Sequence, residues 1–95
     1  MRKIIWSDVA IADLNNIESY ISKDSDVYAR AMVLAIFNSI EQLERFPLLG
    51  RIVPEFKMDN TRELLVGNYR IIYDVTGSII NILTIIHGSR LLRKI

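Results

Sequence analysis

The sequence predicts an α+β fold, a helical hairpin packed on one face of an antiparallel sheet in the order β-α-α-β-β-β. Three observations lead there. Apolar residues recur at helical spacing through two neighbouring segments of the first half, with only a short polar turn between them. The second half breaks into three strand-like runs separated by two short turns, and a strand-like tetrapeptide precedes everything else.

Lys3-Ile4-Ile5-Trp6 reads as the first strand. Ser7 follows as a helix cap, since its hydroxyl can accept from a free amide of the first turn, and Asp8 suits the positive end of the helix dipole. Ile11, Leu14, Ile17 and Ile21 then make one stripe on a helix over about 8–23. Lys23-Asp24-Ser25-Asp26 is a turn, with Ser25 or Asp26 capping a second helix over about 26–46. Val33, Ile36, Phe37, Ile40, Leu43 and Phe46 form its apolar stripe, and Pro47 stops it. Two helices joined so tightly form an antiparallel hairpin. Residues 47–61 lose the period, hold both prolines and read as an irregular connection. Arg62 to Val66 leads through the turn Gly67-Asn68 into Tyr69 to Val75, and Thr76-Gly77-Ser78 leads into Ile79 to His87. Repeats, low-complexity stretches and a second domain are absent, so residues 1–95 read as one domain.

Composition narrows the function. A hydrophobic content of 51% excludes a disordered chain. No apolar run approaches the ~20 residues of a membrane span. The start, M-R-K-I-I-W-S-D, turns acidic too early for a signal peptide, which points to the cytoplasm. With no cysteine and one histidine, disulfides, thiolate chemistry and a structural zinc site are excluded. Net charge is +1 but uneven: residues 8–46 hold three basic against seven acidic groups, a balance of −4, and the remainder nine against four, a balance of +5. Such separation can steer an anionic partner or arise from ordinary helix surfaces.

Strand alternation places Tyr69, Ile71, Tyr73 and Val75 on one face and Arg70, Ile72 and Asp74 on the other. Applied to the last strand, it groups Asn81, Leu83, Ile85 and His87 against Ile80, Ile82, Thr84 and Ile86. Two helices cover one face only. The other face is expected to expose apolar side chains to a partner or a second copy, unless the 47–61 connection and the tail fold over it.

Five phrases, W-S-x-x-A-x-x-D-L-x-x-I-x-x-Y-I (Trp6 to Ile21), S-I-x-x-L-x-x-F-P-x-x-G-R (Ser39 to Arg51), V-P-E-F (Val53 to Phe56), R-E-L-x-x-G-x-Y-R-I-I-Y (Arg62 to Tyr73) and I-x-I-L-x-I-x-H-G-x-R (Ile80 to Arg90), run in order along nearly the whole chain. Together they resemble the RelE/ParE superfamily of toxins from bacterial type II toxin–antitoxin modules. The resemblance implies the same β-α-α-β-β-β fold, no cofactor, and a role in plasmid stabilisation or growth inhibition. It also implies a cognate antitoxin as partner, in a hetero-oligomer, whose binding segment folds on the toxin.

The superfamily divides by target, and a degenerate, inactive member that keeps only antitoxin binding is a third reading. ParE-like members inhibit DNA gyrase without being enzymes; the phrases around Tyr69-Arg70 and His87-Gly88, and the near-neutral charge, favour this branch. Arg90, Arg93 and Lys94 in the basic tail are then the candidate target contacts. RelE-like members cleave mRNA on the ribosome without a metal, the 2′-hydroxyl attacking the adjacent phosphate. For that reaction Arg70 and Arg62 would offset phosphate charge, His87 would act as acid or base, and Glu55 as base. Against it stand a pI of about 8.1 and the lack of any aromatic beyond Tyr73. Each candidate also has a plain structural reading: His87 as a hydrogen-bonded strand end, Arg62 and Glu63 as cross-strand partners, Glu55 as a solvated loop charge. Trp6, Tyr20, Tyr28, Tyr69 and Tyr73 read as core and rim aromatics. Arg70 and His87 are expected to share one sheet face; on opposite faces the catalytic reading fails.

Overall fold

The computed structural model describes residues 2–92. Strand β1 spans Lys3–Trp6, helix α1 Asp8–Ser22 and helix α2 Asp26–Glu41. Strands β2, β3, β4 and β5 span Arg51–Ile52, Thr61–Val66, Tyr69–Thr76 and Ile79–His87. Ser7 caps α1 by accepting from the Ala10 amide at 3.0 Å, and Ser25, rather than Asp26, caps α2 by accepting from the Tyr28 amide at 3.1 Å. Helix α2 ends before residue 46 because the chain tightens into a 3-10 turn at Gln42–Glu44 ahead of Pro47.

The sheet order is β1-β5-β4-β3-β2, with both helices on one face. Strands β3, β4 and β5 form the expected antiparallel meander, turned at Gly67, whose φ of 56° suits glycine. The whole sheet is mixed, because β1 runs parallel to β5, pairing Ile4 with Ile80 and Trp6 with Ile82. A parallel neighbour needs a long crossover, and everything between β1 and β5 supplies it. The 47–61 connection is also less irregular than expected: β2 within it pairs antiparallel with β3, setting Arg51 opposite Glu63. Gly50 makes this approach possible, since a Cβ there would stand 2.5 Å from the Glu63 carbonyl oxygen.

The core lies between helices and sheet, where Leu14, Ile17, Met32, Ile36 and Ile40 meet Leu64, Ile71, Tyr73, Ile80, Ile82 and Ile85. Each such aliphatic side chain contributes roughly 1.5–3 kcal/mol on burial. Ile11, Phe37 and Phe46, assigned to the inner stripes by their spacing, are exposed. The rest of both stripes is buried or packed against the core, and Ala10, Ala29 and Met32 are buried with them. Phe37 instead meets Trp6 at the rim, ring centroids 5.3 Å apart.

Strict alternation along β5 fails. Ile72 lies opposite Thr84 but Tyr73 opposite Ile82, so Leu83 is an extra residue in a β-bulge. Beyond it every side chain changes face: Ile80, Ile82 and Ile85 all face the helices, and His87 follows Ile85. Helix α1 holds the bulge in place. The Ser7 hydroxyl donates to the Leu83 carbonyl at 2.8 Å, and Asp13 accepts from the Ile85 amide at 2.9 Å and from the Thr84 hydroxyl. Ser7 and Asp13 thereby acquire structural roles, beside Ala10 and Leu14 in the core.

The second sheet face is not the open apolar surface that a two-helix layer alone would leave. Val53 and Ile72 are 0% exposed, Glu63 1% and Arg70 5%. The 53–60 connection and residues 90–92 close over it, the other outcome that the sequence allowed.

Candidate functional site

On that second face two carboxylates meet around one guanidinium. Arg70, in the middle of β4, points away from the helices, with the Glu63 and Ile86 faces of the adjoining strands on either side. Its Nε donates to Glu63 Oε1 at 2.7 Å, and its Nη2 lies 2.6 Å from the same oxygen. Glu55 accepts from both terminal nitrogens, Oε1 from Nη2 at 2.7 Å and Oε2 from Nη1 at 2.8 Å. Nη1 also donates to the Arg90 carbonyl at 2.9 Å. A guanidinium has five N–H donors, and protein acceptors surround all of its nitrogens. Glu63 is in turn paired with Arg51, whose side chain reaches solvent.

The electrostatics follow from this geometry. Hydrogen bonds from Arg70 lower the Glu55 carboxyl from its ordinary 4.5 to about 2, helped by the Leu92 amide. Arg70 is held still more firmly protonated than usual, first by Glu55 and then by Glu63. A general base works best with a pKa near the operating pH, and Glu55 lies far below it.

The other candidates stand elsewhere. Arg62 is on the helix side of β3, opposite Tyr73, donating to the Asp59 carbonyl at 2.8 Å and to the Gly50 carbonyl at 3.2 Å. It anchors the connection instead of standing beside Arg70 as a phosphate clamp. The Tyr73 hydroxyl accepts from the Gly50 amide at 2.9 Å, so both backbone groups of Gly50 are held.

His87 lies opposite Tyr69 in the β4–β5 register, and its ring meets that of Tyr69 edge-on, centroids 5.8 Å apart. It therefore points to the helix side, away from Arg70. The expectation of a shared face is overturned by the bulge at Leu83, which reverses the alternation that had been read straight through the strand. His87 Nδ1 accepts from the Ser89 amide at 3.2 Å and lies 2.7 Å from the Ser89 hydroxyl, which ties down the turn after β5. Around it a shallow cleft is lined by Asp13, Asn16, Tyr20, Tyr69, His87 and Arg90.

Of the candidate target contacts, Arg90 is exposed at the start of the tail, and Arg93 and Lys94 lie outside the described residues. No three His, Cys, Asp or Glu side chains are grouped to hold a metal among the described residues. No described helix is long and apolar enough to cross a membrane.

Glu63 and Asp13 carry more of the architecture than their sequence context suggested. Glu63 was detectable in part: alternation along β3 puts it on the Arg70 face, opposite Ile72. Asp13 gave no local signal, because its partners lie 71 and 72 residues away.

Known proteins share both the sequence pattern and the fold. Residues 4–92 match the family described as the ParE toxin of the type II toxin–antitoxin system, parDE. Toxin RelE2 of Caulobacter vibrioides is 33% identical over 92 residues, covering 96% of this chain and 100% of that protein. Among solved structures, a chain of the chromosomal ParDE system from P. aeruginosa superposes with a TM-score of 0.75 at 24% identity, covering 92% of this chain and 96% of that one. A chain of the toxin–antitoxin complex RelBE2 from Mycobacterium tuberculosis does so with a TM-score of 0.61 at 22% identity, covering 90% and 96%. At those identities the two structures speak for the fold, and the family match and the Caulobacter relative speak for descent. This chain belongs to the ParE toxin family of type II toxin–antitoxin systems.

Proposed function

We propose that this toxin is a cytoplasmic, ParE-like inhibitor of DNA gyrase, neutralised by a cognate antitoxin and acting by binding instead of by catalysis. The observation that carries the reading is the state of Arg70: buried, and surrounded by Glu63, Glu55 and the Arg90 carbonyl. A guanidinium so engaged has no donor left for a phosphorane oxygen. The rest of the set that metal-free RNA cleavage would need is dispersed. Glu55 is a weak base, Arg62 faces the helices, and His87 is on the far side of the sheet from Arg70. The family match to ParE toxins agrees. Contact with the target falls in this reading to the basic tail, Arg90, Arg93 and Lys94.

Pulse-labelling after induction tests it. DNA synthesis should fall within minutes while protein synthesis continues, and purified toxin should block supercoiling by gyrase and leave cleaved DNA. Protein synthesis stopping first, with mRNA cut on the ribosome, would replace this reading with that of a RelE-like endonuclease.

A further inference from the structure

Arg70 and Glu55 do more than neutralise each other. Arg70 Nη1 donates to the Arg90 carbonyl at 2.9 Å, and Glu55 Oε2 accepts from the Leu92 amide at 2.8 Å. Residues from the connection and from β4 thereby grip two backbone groups of the C-terminal segment. The other backbone hydrogen bonds after His87 lie before the Arg90 carbonyl: the Gly88 amide to the Asn68 carbonyl of the β3–β4 turn, the Ser89 amide to His87 Nδ1 and the Arg90 amide to the His87 carbonyl. Among the described residues, only the Arg70–Glu55 pair binds backbone from Arg90's carbonyl onward. Leu91 is 83% exposed, so apolar burial at that residue does not fix the path either.

The two acidic partners of Arg70 are not equivalent. Glu63 is fully buried and holds the Nε side, whereas the Glu55 side chain is 19% exposed and comes from a loop. Glu63 alone can offset the buried guanidinium charge. Glu55 is the partner that reaches the tail.

We infer that Glu55, held by Arg70, is a positioning residue that fixes the direction in which the C-terminal segment leaves the sheet, and so presents the basic tail to the toxin's target. The inference rests on the proposed role of Arg90, Arg93 and Lys94 as target contacts. Without the carboxylate, Arg70 stays paired with Glu63 and keeps the Arg90 carbonyl, while the Leu92 amide loses its partner and the segment beyond Arg90 its anchor. The fold then persists and the tail samples many directions, which lowers the population competent to bind.

The test combines the variant Glu55→Ala with the double charge reversal Arg93→Glu, Lys94→Glu, each in the full chain. Amide exchange at Leu92, thermal melting and growth arrest on induction are followed. Glu55→Ala should speed Leu92 exchange at least tenfold, leave β4 and β5 amides protected, keep the melting temperature within a few degrees, and weaken growth arrest roughly tenfold. Charge reversal should weaken arrest without changing Leu92 exchange, and adding Glu55→Ala to it should cost nothing further. Equal Leu92 exchange in parent and Glu55→Ala overturns the anchor. Full arrest by Glu55→Ala, with Leu92 exchange accelerated, overturns its importance for activity. An additional loss in the charge-reversed background would also overturn it, assigning Glu55 a general structural role. If charge reversal leaves arrest intact, the tail-contact reading itself falls, and the functional half of this inference falls with it.

Discussion

The two faces of one sheet are held by different physics. The helix side is a continuous apolar layer, Ile36 and Leu43 against Ile71, Tyr73 and Ile82, in which no pair contact is indispensable. The other side is organised around a single cation, Arg70, with one deeply buried carboxylate and one near the surface. Apolar burial is additive and forgiving of shape. A buried ion pair is conditional: intact it contributes little net stability, and with one member removed the other is stranded in a low-dielectric site. The helix side therefore sets how stable the toxin is, and the ionic side sets where its connection and tail lie.

The largest effect should come from stranding Glu63. Arg70→Ala leaves that carboxylate buried with only the solvent-exposed Arg51 as partner, and should cost about 3–5 kcal/mol in urea unfolding. The comparison sharpens if Arg70→Met is combined with Glu63→Leu, which removes both buried charges and should recover most of the loss. If it does not, the network is a net stabiliser and the contrast between faces is wrong.

Ile36→Ala opens a cavity in the middle of the other layer, where Ile36 is 0% exposed. Its expected cost is roughly 3 kcal/mol, within the usual range for such truncations, with the tail's amide protection unchanged. A tail that loosens along with the core would mean the faces are not independent.

Acid should separate them further. Glu55 titrates near 2 in the folded chain against an ordinary 4.5, so its contribution is complete above about pH 4.5 and is lost as pH falls toward 2. Leu92 exchange, compared in parent and Glu55→Gln after correction for intrinsic rates, should converge across that window while core amides stay protected.

The smallest effect is expected at His87. It is exposed, sits on the helix side and, apart from the Tyr69 ring, makes contacts within its own turn, so His87→Ala should change stability by less than about 1 kcal/mol and leave growth arrest nearly intact. A hundredfold loss of toxicity with unchanged melting would restore it as a functional residue.

Element types and order were legible because they depend on local rules. Ser7 and Ser25 cap the helices they precede, Pro47 bounds the second, and Gly67 turns the meander at a positive φ. Faces were legible along β4, where Tyr69, Ile71, Tyr73 and Val75 do share the helix side. They were not legible along β5. A single extra residue at Leu83 reverses every assignment after it, and the bulge is held by Ser7 and Asp13, far away in the chain.

The same division holds for the site. The sequence by itself determined the α+β class, the order of the helices and of every strand but the two-residue β2, and the family, because period, caps and motif spacing are written in consecutive residues. It also marked Arg70 as exceptional, a charge between apolar neighbours in a central strand. Only the tertiary structure decided what Arg70 is for. Its partners, Glu63, Glu55 and the Arg90 carbonyl, lie 7, 15 and 20 residues away, and only the first is brought near by the β3–β4 hairpin. A side chain's chemistry depends on whether its donors are free, and that is settled by which distant groups the folded chain places around it.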